Sequence, residues 1–577
     1  MELELCKHGF VLSDFGADFT FECGGFSPKM TGDICEVGVC SDIPMPKTAV
    51  GDRIILPIDE GMAIYADGEY ENGEFDNGNV SAFGMGRGKT LDAVILQRGG
   101  AYLIFYTSDG LHSGYSAVRE DGLYRLYARC DRSMTAYYGV FPSLAAACLH
   151  YRAVQSKSTL TLADKMKLTP ELAKLVGGAI FWIWNDSYDK IMYSDRDTDD
   201  KPETGEALLK IAEDFRSNGI DRAMFGMFFD GDSEYVGELY DKYGYISTQY
   251  DNYNDVLNPE MLSIIPNNRV KNCGYTRRRM KDYPDGVCVA ADGSLAKAWA
   301  LRGYDGEMHS QNTLCPAVAA QRMREEIPQI LSEYPKYKGR FIDVYGGGFG
   351  ECHSKVHPLS RDECRKVKAG AFESIRKMGL ITGTEDGCES IIDSLDYAEG
   401  LHSPVNFRNL NSGRNHANTY TEQQAAFIDK YMLNCTLRVP MWQLVYHDRL
   451  IAFPYWGDST EMSPEQIRKK TLFACLYGCQ PLYSFSLRDY ERLREHILSS
   501  YKAISAVTGK TALLPMTDFS YLNDDMTVQR TAFGDKYSVT VNFSDKVFKT
   551  ESGAEIEPLG MAFDEISGSN EKGMQEK

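Results

Sequence analysis

The stretch RFIDVYGGGFGECHSKVHPLSRDECRKVKAGAFESIRKMGLITGTE, residues 340–385, has the pattern of a strand, a helix and a second strand. Each predicted strand is a short apolar run that ends near an acid, Asp343 in the first and Glu385 in the second. The three glycines after the first strand cannot continue it stably. A capping box opens the helix at Ser360, and Gly379 supplies its stop. This order favours a parallel sheet with both acids at the carboxyl ends of its strands.

The same alternation extends over the central part of the chain, with further capping boxes at Thr421 and Ser463. Eight strands with interposed helices is the count of a TIM barrel. The long segment 254–339 exceeds a simple crossover, so we expect an inserted subdomain over the barrel mouth. The eight predicted strands are 178–184, 223–228, 245–253, 340–345, 380–385, 397–404, 439–447 and 480–485.

The flanks of the chain alternate apolar and polar residues between Gly, Asp and Asn turns, which is typical of antiparallel β-structure. We therefore predict a multidomain protein with a central (β/α)8 TIM barrel between N-terminal and C-terminal β-sandwich domains. The predicted parts are an N-terminal domain at 1–160, a barrel at 161–510, a C-terminal β-domain at 511–563 and a disordered tail at 564–577.

The composition of the chain limits the classes of molecule that we expect it to bind. The formal net charge of -20 disfavours nucleic acid and anionic lipid, and a neutral substrate is easier to accommodate. The N-terminus lacks the pattern of a secretion signal, and we find no membrane-spanning run, so we expect a cytoplasmic protein. The 15 cysteines contain no C-x-x-C pair, and the spacing Cys475 to Cys479 lacks the histidines of a zinc site, so reduced, buried thiols are expected.

The two acids at neighbouring strand ends can face one pocket, since adjacent strands lie about 4.8 Å apart. Glycoside hydrolysis needs such a pair, one carboxylate that stays ionised and one carboxylic acid that holds a proton. The alternative for each residue is a local role, with Asp343 capping the glycine turn and Glu385 capping the following Asp-Gly turn. Their joint placement favours the catalytic interpretation.

A third acidic cluster, FFDGDSE, follows the second predicted strand and contains Asp230 and Asp232. Acids near a sugar usually bind its hydroxyl groups. Calcium binding is the competing interpretation, although the loop is far from an EF-hand sequence. All five tryptophans fall within the barrel segment, and at least one is expected to stack on a sugar, although core packing is the default for any one of them.

At these residues the chain resembles glycoside hydrolase families 101 and 129, which comprise α-N-acetylgalactosaminidases. FIDVYGGG resembles the nucleophile strand and TEDGCESIIDSLDYAEG the acid/base segment, so the resemblance implies that Asp343 is the nucleophile and Glu385 the acid/base. FFDGDS resembles the sugar-binding segment, which implies substrate contacts from Asp232 in preference to Asp230. Trp299, in AKAWALRGYDG, corresponds to an aromatic of the substrate loop.

Tyr345, beside the nucleophile, is a further substrate-binding candidate. The chain resembles family 129, whose exo-acting members work inside cells, more than the large, secreted, endo-acting family 101. We therefore expect a retaining α-glycosidase, most simply an exo-α-N-acetylgalactosaminidase acting on small glycosides or glycopeptides. We expect it to require no cofactor, and the sequence allows a structural calcium ion. The alternatives are the same mechanism on another sugar such as galactose, or a carbohydrate-binding barrel without catalysis.

Overall fold

The structure, a computed structural model, describes residues 1–566 with gaps, and of residues 80–83 and 230 it describes the backbone only. The gaps within that range are 71–79, 84, 86–87, 156–158, 186–190, 192–193, 201–202, 269–277, 408–419, 459, 461 and 551. The predicted disordered tail lies outside the described residues except for its first three, and Asp564 and Glu565 end a strand.

The N-terminal part is antiparallel, as its alternating pattern predicts. Its strands are β1 (Glu2–Cys6), β2 (Gly9–Asp14), β3 (Ala17–Phe21), β4 (Lys29–Thr31), β5 (Ile34–Val39), β6 (Asp42–Ile43), β7 (Arg53–Leu56), β8 (Met62–Tyr65), β9 (Val80–Phe83), β10 (Ala93–Arg98), β11 (Ala101–Thr107), β12 (Ser113–Glu120), β13 (Leu123–Cys130) and β14 (Met134–Phe141). They form sheets in the orders β1-β2-β3, β4-β5-β14-β11-β10-β7-β8 and β6-β13-β12-β9. Phe105 of β11 meets Tyr115 of β12 edge to face at 5.4 Å, so the two larger sheets pack as a sandwich.

The central part is a nearly closed barrel of parallel strands. Its strands and those of the insertion are β15 (Ala179–Trp184), β16 (Ala223–Met227), β17 (Ile246–Asp251), β18 (Asp255–Val256), β19 (Lys297–Arg302), β20 (Met308–Thr313), β21 (Gly339–Ile342), β22 (Ile381–Glu385), β23 (Tyr397–Glu399), β24 (Ile451–Phe453) and β25 (Leu482–Ser486). The barrel sheet has the order β24-β23-β22-β21-β17-β16-β15-β25, and each neighbouring pair is parallel. The predicted fold, a TIM barrel with flanking β-domains, is confirmed.

The seventh predicted strand, 439–447, is wrong. Met441–Tyr446 form a helix, and the seventh barrel strand is β24, which begins a few residues later at Ile451. Every residue of that helix is buried. A short apolar run that is buried on all sides has no polar face, so its periodicity cannot separate a helix from a strand.

Ten α-helices lie among the described residues. They are α1 (Leu144–Gln155), α2 (Leu162–Leu168), α3 (Glu206–Ser217), α4 (Val236–Tyr243), α5 (Pro316–Glu333), α6 (Arg361–Lys377), α7 (Glu422–Phe427), α8 (Met441–Tyr446), α9 (Pro464–Tyr477) and α10 (Tyr490–Thr511). The three predicted capping boxes are confirmed at the starts of α6, α7 and α9, where the side chains of Ser360, Thr421 and Ser463 accept the expected backbone N–H groups. No helix in the described part of the chain is long and apolar enough to cross a membrane.

Between β17 and β21 the chain adds a small antiparallel sheet, β18-β20-β19, before α5 returns it to the barrel. After α10, a C-terminal sheet of order β26-β27-β28-β31 follows, beside the short pair β29 and β30. Its strands are β26 (Met516–Tyr521), β27 (Val528–Phe533), β28 (Tyr537–Asn542), β29 (Phe548–Lys549), β30 (Glu555–Ile556) and β31 (Gly560–Glu565). The exact domain boundaries stay predictions.

Candidate active site

Alternate residues of the barrel strands point into the barrel. Phe341 of β21 and Tyr397 of β23 belong to one interior apolar cluster. Because strand side chains alternate with a period of two, Asp343 and Glu399, each two residues further on, face the same interior at the carboxyl end. Glu385 follows the same rule on β22, which lies between these two strands. Three neighbouring strands therefore deliver an acid to one end of the barrel.

Asp343 and Glu385 are brought together as the sequence predicts. The pairing of Ile342 with Thr384 sets β21 beside β22 so that the two acids are adjacent. The carboxyl groups of Asp343 and Glu385 lie within hydrogen-bonding reach of each other. Two carboxyl groups in contact hold a proton between them, because two like charges at that distance repel. The pair can therefore supply one acid and one base.

The other contacts of Asp343 fix its orientation. Its Oδ2 atom accepts the hydroxyl of Tyr250 at 2.6 Å and the amide Nδ2 of Asn252 at 3.1 Å. Burial raises the pKa of Asp343, and the charge of Asp255 acts in the same direction. The contacts with Glu385 and Tyr250 oppose this rise without cancelling it. Asp343 thus titrates above the ordinary range of an aspartate.

Asn252, which the sequence analysis did not single out, holds the acids in place. Its Nδ2 also donates to Asp255 Oδ2 at 3.0 Å, and its Oδ1 accepts the backbone N–H groups of Asn254 and Asp255 at 2.9 Å. The side chain is therefore fixed with its donor toward Asp343. The only sequence signal was its position near the end of the third predicted strand.

Glu399, at the end of β23, is the acid that sequence reasoning missed. It pairs in register with Glu385, is fully buried, and accepts the indole N–H of Trp182 at 3.1 Å. Burial raises the pKa of Glu399 well above its ordinary value, and the neighbouring charge of Asp343 raises it further. Its surroundings therefore favour the protonated form of Glu399. Its signal was an acid closing the short strand YAE, the same pattern as in the two strands before it.

Aromatic side chains surround these acids. The ring of Trp456 lies 5.9 Å from that of Trp182 and 5.9 Å from that of Tyr250, and Trp182 stacks at 6.0 Å on Trp184. This cluster excludes water from the base of the site, which explains why burial is the largest cause of both raised pKa values.

The backbone takes the left-handed conformation directly after each acid of the pair, with φ of +46° at Val344 and +57° at Asp386. For a β-branched residue such as Val344 this conformation is a genuine outlier, and such strain is concentrated at functional sites. Gly346 holds the two turns together, because its N–H donates to Thr384 Oγ1 at 2.9 Å. The two turns can therefore approach each other only because residue 346 has no side chain.

Comparison with known proteins shows the family to which the chain belongs. A sequence model of the family described as glycosyl hydrolases related to GH101 family, GH129, matches residues 214–532. That segment is more than half of the chain and contains all three acids. The chain belongs to this family. It is therefore a glycoside hydrolase, and the prediction of an enzyme is confirmed.

Solved structures show the same fold. The ligand-free α-N-acetylgalactosaminidase NagBb from Bifidobacterium bifidum has a TM-score of 0.65 and 16% identity over 96% of this chain and 91% of that chain. Its GalNAc complex has a TM-score of 0.63 and 17% identity over 94% of this chain and 89% of that chain. No curated protein sequence gives a significant match.

In this GH129 chain, Asp232 is anchored in the protein. It is 4% exposed, and its Oδ1 atom accepts the backbone N–H groups of Thr204 and Gly205 at 2.8 and 3.2 Å, just before α3 begins. Burial raises the pKa of Asp232 to about 6. The residue therefore organises the start of α3, and a substrate contact from it stays a prediction. Asp230 opens the same 3-10 turn, but its side chain is outside the described part of the chain.

The structure does not support Tyr345 as a substrate-binding residue. Its ring is 2% exposed and packs against Phe372 of α6, and its hydroxyl donates to the carbonyl of Pro316 in α5 at 3.0 Å. The left-handed turn at Val344 breaks the strand alternation and directs Tyr345 toward the helices. Trp299 lies on β19 of the insertion with 41% of its side chain exposed, and its role stays a prediction.

The glycines after Asp343 pack against the protein instead of leaving backbone open to substrate. A Cβ on Gly346 would lie 2.4 Å from Thr384 Cγ2 and 2.9 Å from the carbonyl oxygen of Glu385. The ammonium of Lys368 donates to the carbonyl of Gly347. Gly346 therefore lets the two turns meet.

Proposed function

We propose that this GH129 protein is a retaining exo-α-N-acetylgalactosaminidase that acts on small glycosides or glycopeptides by double displacement. The observation that carries the proposal is the interaction between the carboxyl groups of Asp343 and Glu385, which opposes the rise in the pKa of Asp343. Inverting glycosidases keep their carboxyl groups about 6.5–9.5 Å apart to admit water, whereas retaining ones keep them about 5–5.5 Å apart. The interaction of these two acids in the absence of substrate supports the shorter spacing.

Asp343 is the nucleophile in this proposal. Both hydrogen-bond donors, Tyr250 and Asn252, bind Oδ2, which leaves Oδ1 to attack the anomeric carbon. Glu385 gives its proton to the leaving oxygen as the bond to the sugar breaks. In the second step Glu385 removes a proton from water, the water attacks the same carbon, and Asp343 leaves as a carboxylate. The two inversions together retain the anomeric configuration.

The surroundings support this division of roles. Glu385 is partly exposed and can reach water and the leaving group, whereas Asp343 is buried below the sugar position. A neutral Glu399 adds no second negative charge beside the nucleophile. The two donors on Oδ2 stabilise the negative charge that returns to Asp343 when the intermediate breaks down.

The sugar is proposed from the fold shared with NagBb, an α-N-acetylgalactosaminidase whose structure was solved in complex with GalNAc. Galactose is the alternative, and the mechanism would be unchanged. A panel of nitrophenyl α-glycosides of N-acetylgalactosamine, galactose and glucose separates these substrates. We expect the highest kcat/KM with α-N-acetylgalactosaminide.

The mechanism is tested by proton NMR of the first product during the minutes before mutarotation. Retention gives the α-anomer of the released sugar first. An initial β-anomer would mean inversion, and Asp343 would then act as a base on water. If the protein hydrolyses none of the α-glycosides, the proposed substrate class is refuted.

A further inference from the structure

The loop that follows Asp343 brings together sulfur and imidazole groups that the catalytic site does not use. Cys352 and His357 lie on this loop between β21 and α6, and Cys315 is the N-cap residue of α5. The ligand atoms of these three residues all lie within 4.8 Å of one another. The Cys352 Sγ atom is 3.4 Å from His357 Nδ1. In a tetrahedral zinc site a sulfur and a nitrogen ligand lie about 3.6 Å apart, so the spacing fits without rearrangement.

A further thiol, that of Cys288, comes from the insertion and lies beside the three ligands. Its Sγ atom is 3.5 Å from the carbonyl oxygen of Glu351, the residue before Cys352. The backbone ties these segments together, since His353 N–H donates to the carbonyl of Val289 at 2.8 Å. Cys315, Cys352 and His357 thus supply two sulfurs and one nitrogen, and Cys288 offers the third sulfur of a ligand set common to closed structural zinc sites.

The histidine is oriented as a metal ligand would be. His357 Nε2 lies 2.7 Å from the carbonyl oxygen of Asp285. A carbonyl oxygen only accepts, so Nε2 carries the proton and Nδ1 presents its lone pair toward Cys352. Histidines that bind metals almost always donate their other ring N–H to a carbonyl or carboxylate in this way.

Two simpler explanations fit less well. A disulfide would join two of the sulfurs, but it would not explain why the third thiol and the oriented imidazole lie beside them. Ordinary buried thiols, such as Cys148 in α1, pack as small apolar groups and need no histidine. Convergence of three thiols and one oriented imidazole from three separate segments of the chain favours a soft metal ion.

We propose that Cys315, Cys352 and His357 bind one structural Zn²⁺ ion, with Cys288 moving in as the fourth ligand. The ion would link the insertion, the N-terminus of α5 and the loop that continues from Asp343. Sequence spacing could not show this site, because the four residues are spread from 288 to 357 without a C-x-x-C pair. The proposal does not depend on which sugar the enzyme cleaves.

The test is the metal content of the full-length protein, purified under reducing conditions from zinc-supplemented cells without chelator. We expect inductively coupled plasma mass spectrometry to find one zinc ion per chain. Replacement by Co²⁺ should give the intense visible absorption of a tetrahedral cobalt–thiolate site. These measurements need no variant and so do not depend on a mutant folding.

Variants then test the ligand set. Cys352→Ser and His357→Ala should lose the zinc, with a circular dichroism spectrum taken to establish that they fold. His353→Ala, an exposed histidine on the same loop, and Cys364→Ser, a buried cysteine in the first turn of α6, should keep it. A zinc-free wild type with all thiols titratable would overturn the proposal, as would a Cys315–Cys352 disulfide. Loss of zinc from Cys364→Ser but not Cys288→Ser would overturn the assigned fourth ligand.

Discussion

Replacement of Glu399 by glutamine tests whether this buried acid is neutral. Its ordinary pKa is 4.5, and burial raises it well above that value in the folded protein. An acid that must stay protonated when folded loses stability as pH rises from its unfolded pKa to its folded pKa. Each pH unit between those two pKa values costs about 1.36 kcal/mol.

Glutamine has nearly the same shape, still offers an oxygen to the indole N–H of Trp182, and carries no such cost. Glu399→Gln should therefore match the wild type in stability near pH 4.5 and exceed it by about 1.4 kcal/mol for each unit above that pH. For a chain of 577 residues unfolding as one unit, the effect is about 1 °C in Tm for each of these pH units.

The assay is the Tm of wild type and Glu399→Gln by differential scanning calorimetry at several pH values from 5 to 7.5. Glu307→Gln, at an exposed position on the insertion, is the matched control and should show no pH-dependent difference. A Glu399→Gln variant that is less stable at pH 7, or whose Tm difference does not change with pH, would show that Glu399 is ionised in the folded protein and would refute the reasoning.

The remaining predictions concern the turns and acids of the site. Asp343→Asn should abolish turnover of every glycoside. Glu385→Gln should keep measurable activity on nitrophenyl glycosides, because their leaving group needs no proton. Equal losses of activity on activated and unactivated substrates would show that Glu385 is not the acid. Gly346→Ala should lose most activity, because the new methyl group collides with the second turn. Gly350→Ala is the control, since a Cβ there meets nothing within 4 Å, and it should behave as wild type in the same nitrophenyl assay. An active Gly346→Ala variant would contradict this packing argument. Asp232→Ala should lower stability by about 1–3 kcal/mol, since two buried N–H groups lose their acceptor, and a denaturation midpoint equal to that of wild type would return Asp232 to a purely substrate-binding role.

Local signals in the sequence were enough to predict the barrel and its main acids. The capping box at Ser360 depends on residues three positions apart, so it could be read without knowledge of the fold. Asp343 and Glu385 could be predicted because each ends a strand next to the other along the barrel, and neighbouring parallel strands place their ends together.

The tertiary structure decided what depends on contacts distant in sequence. The helix at 441–446 is buried on all sides and has no exposed face to show its period, so it was mistaken for a strand. Glu399 becomes a neutral acid only because Trp182, more than 200 residues away, and the barrel interior bury it. The cluster around Cys352 exists because the insertion folds back onto the loop after Asp343, a contact that no spacing of cysteines encodes. The sequence thus determined which strands and helices form, since these depend on near neighbours, whereas burial, charge state and ligand geometry were decided by residues that meet only in the folded chain.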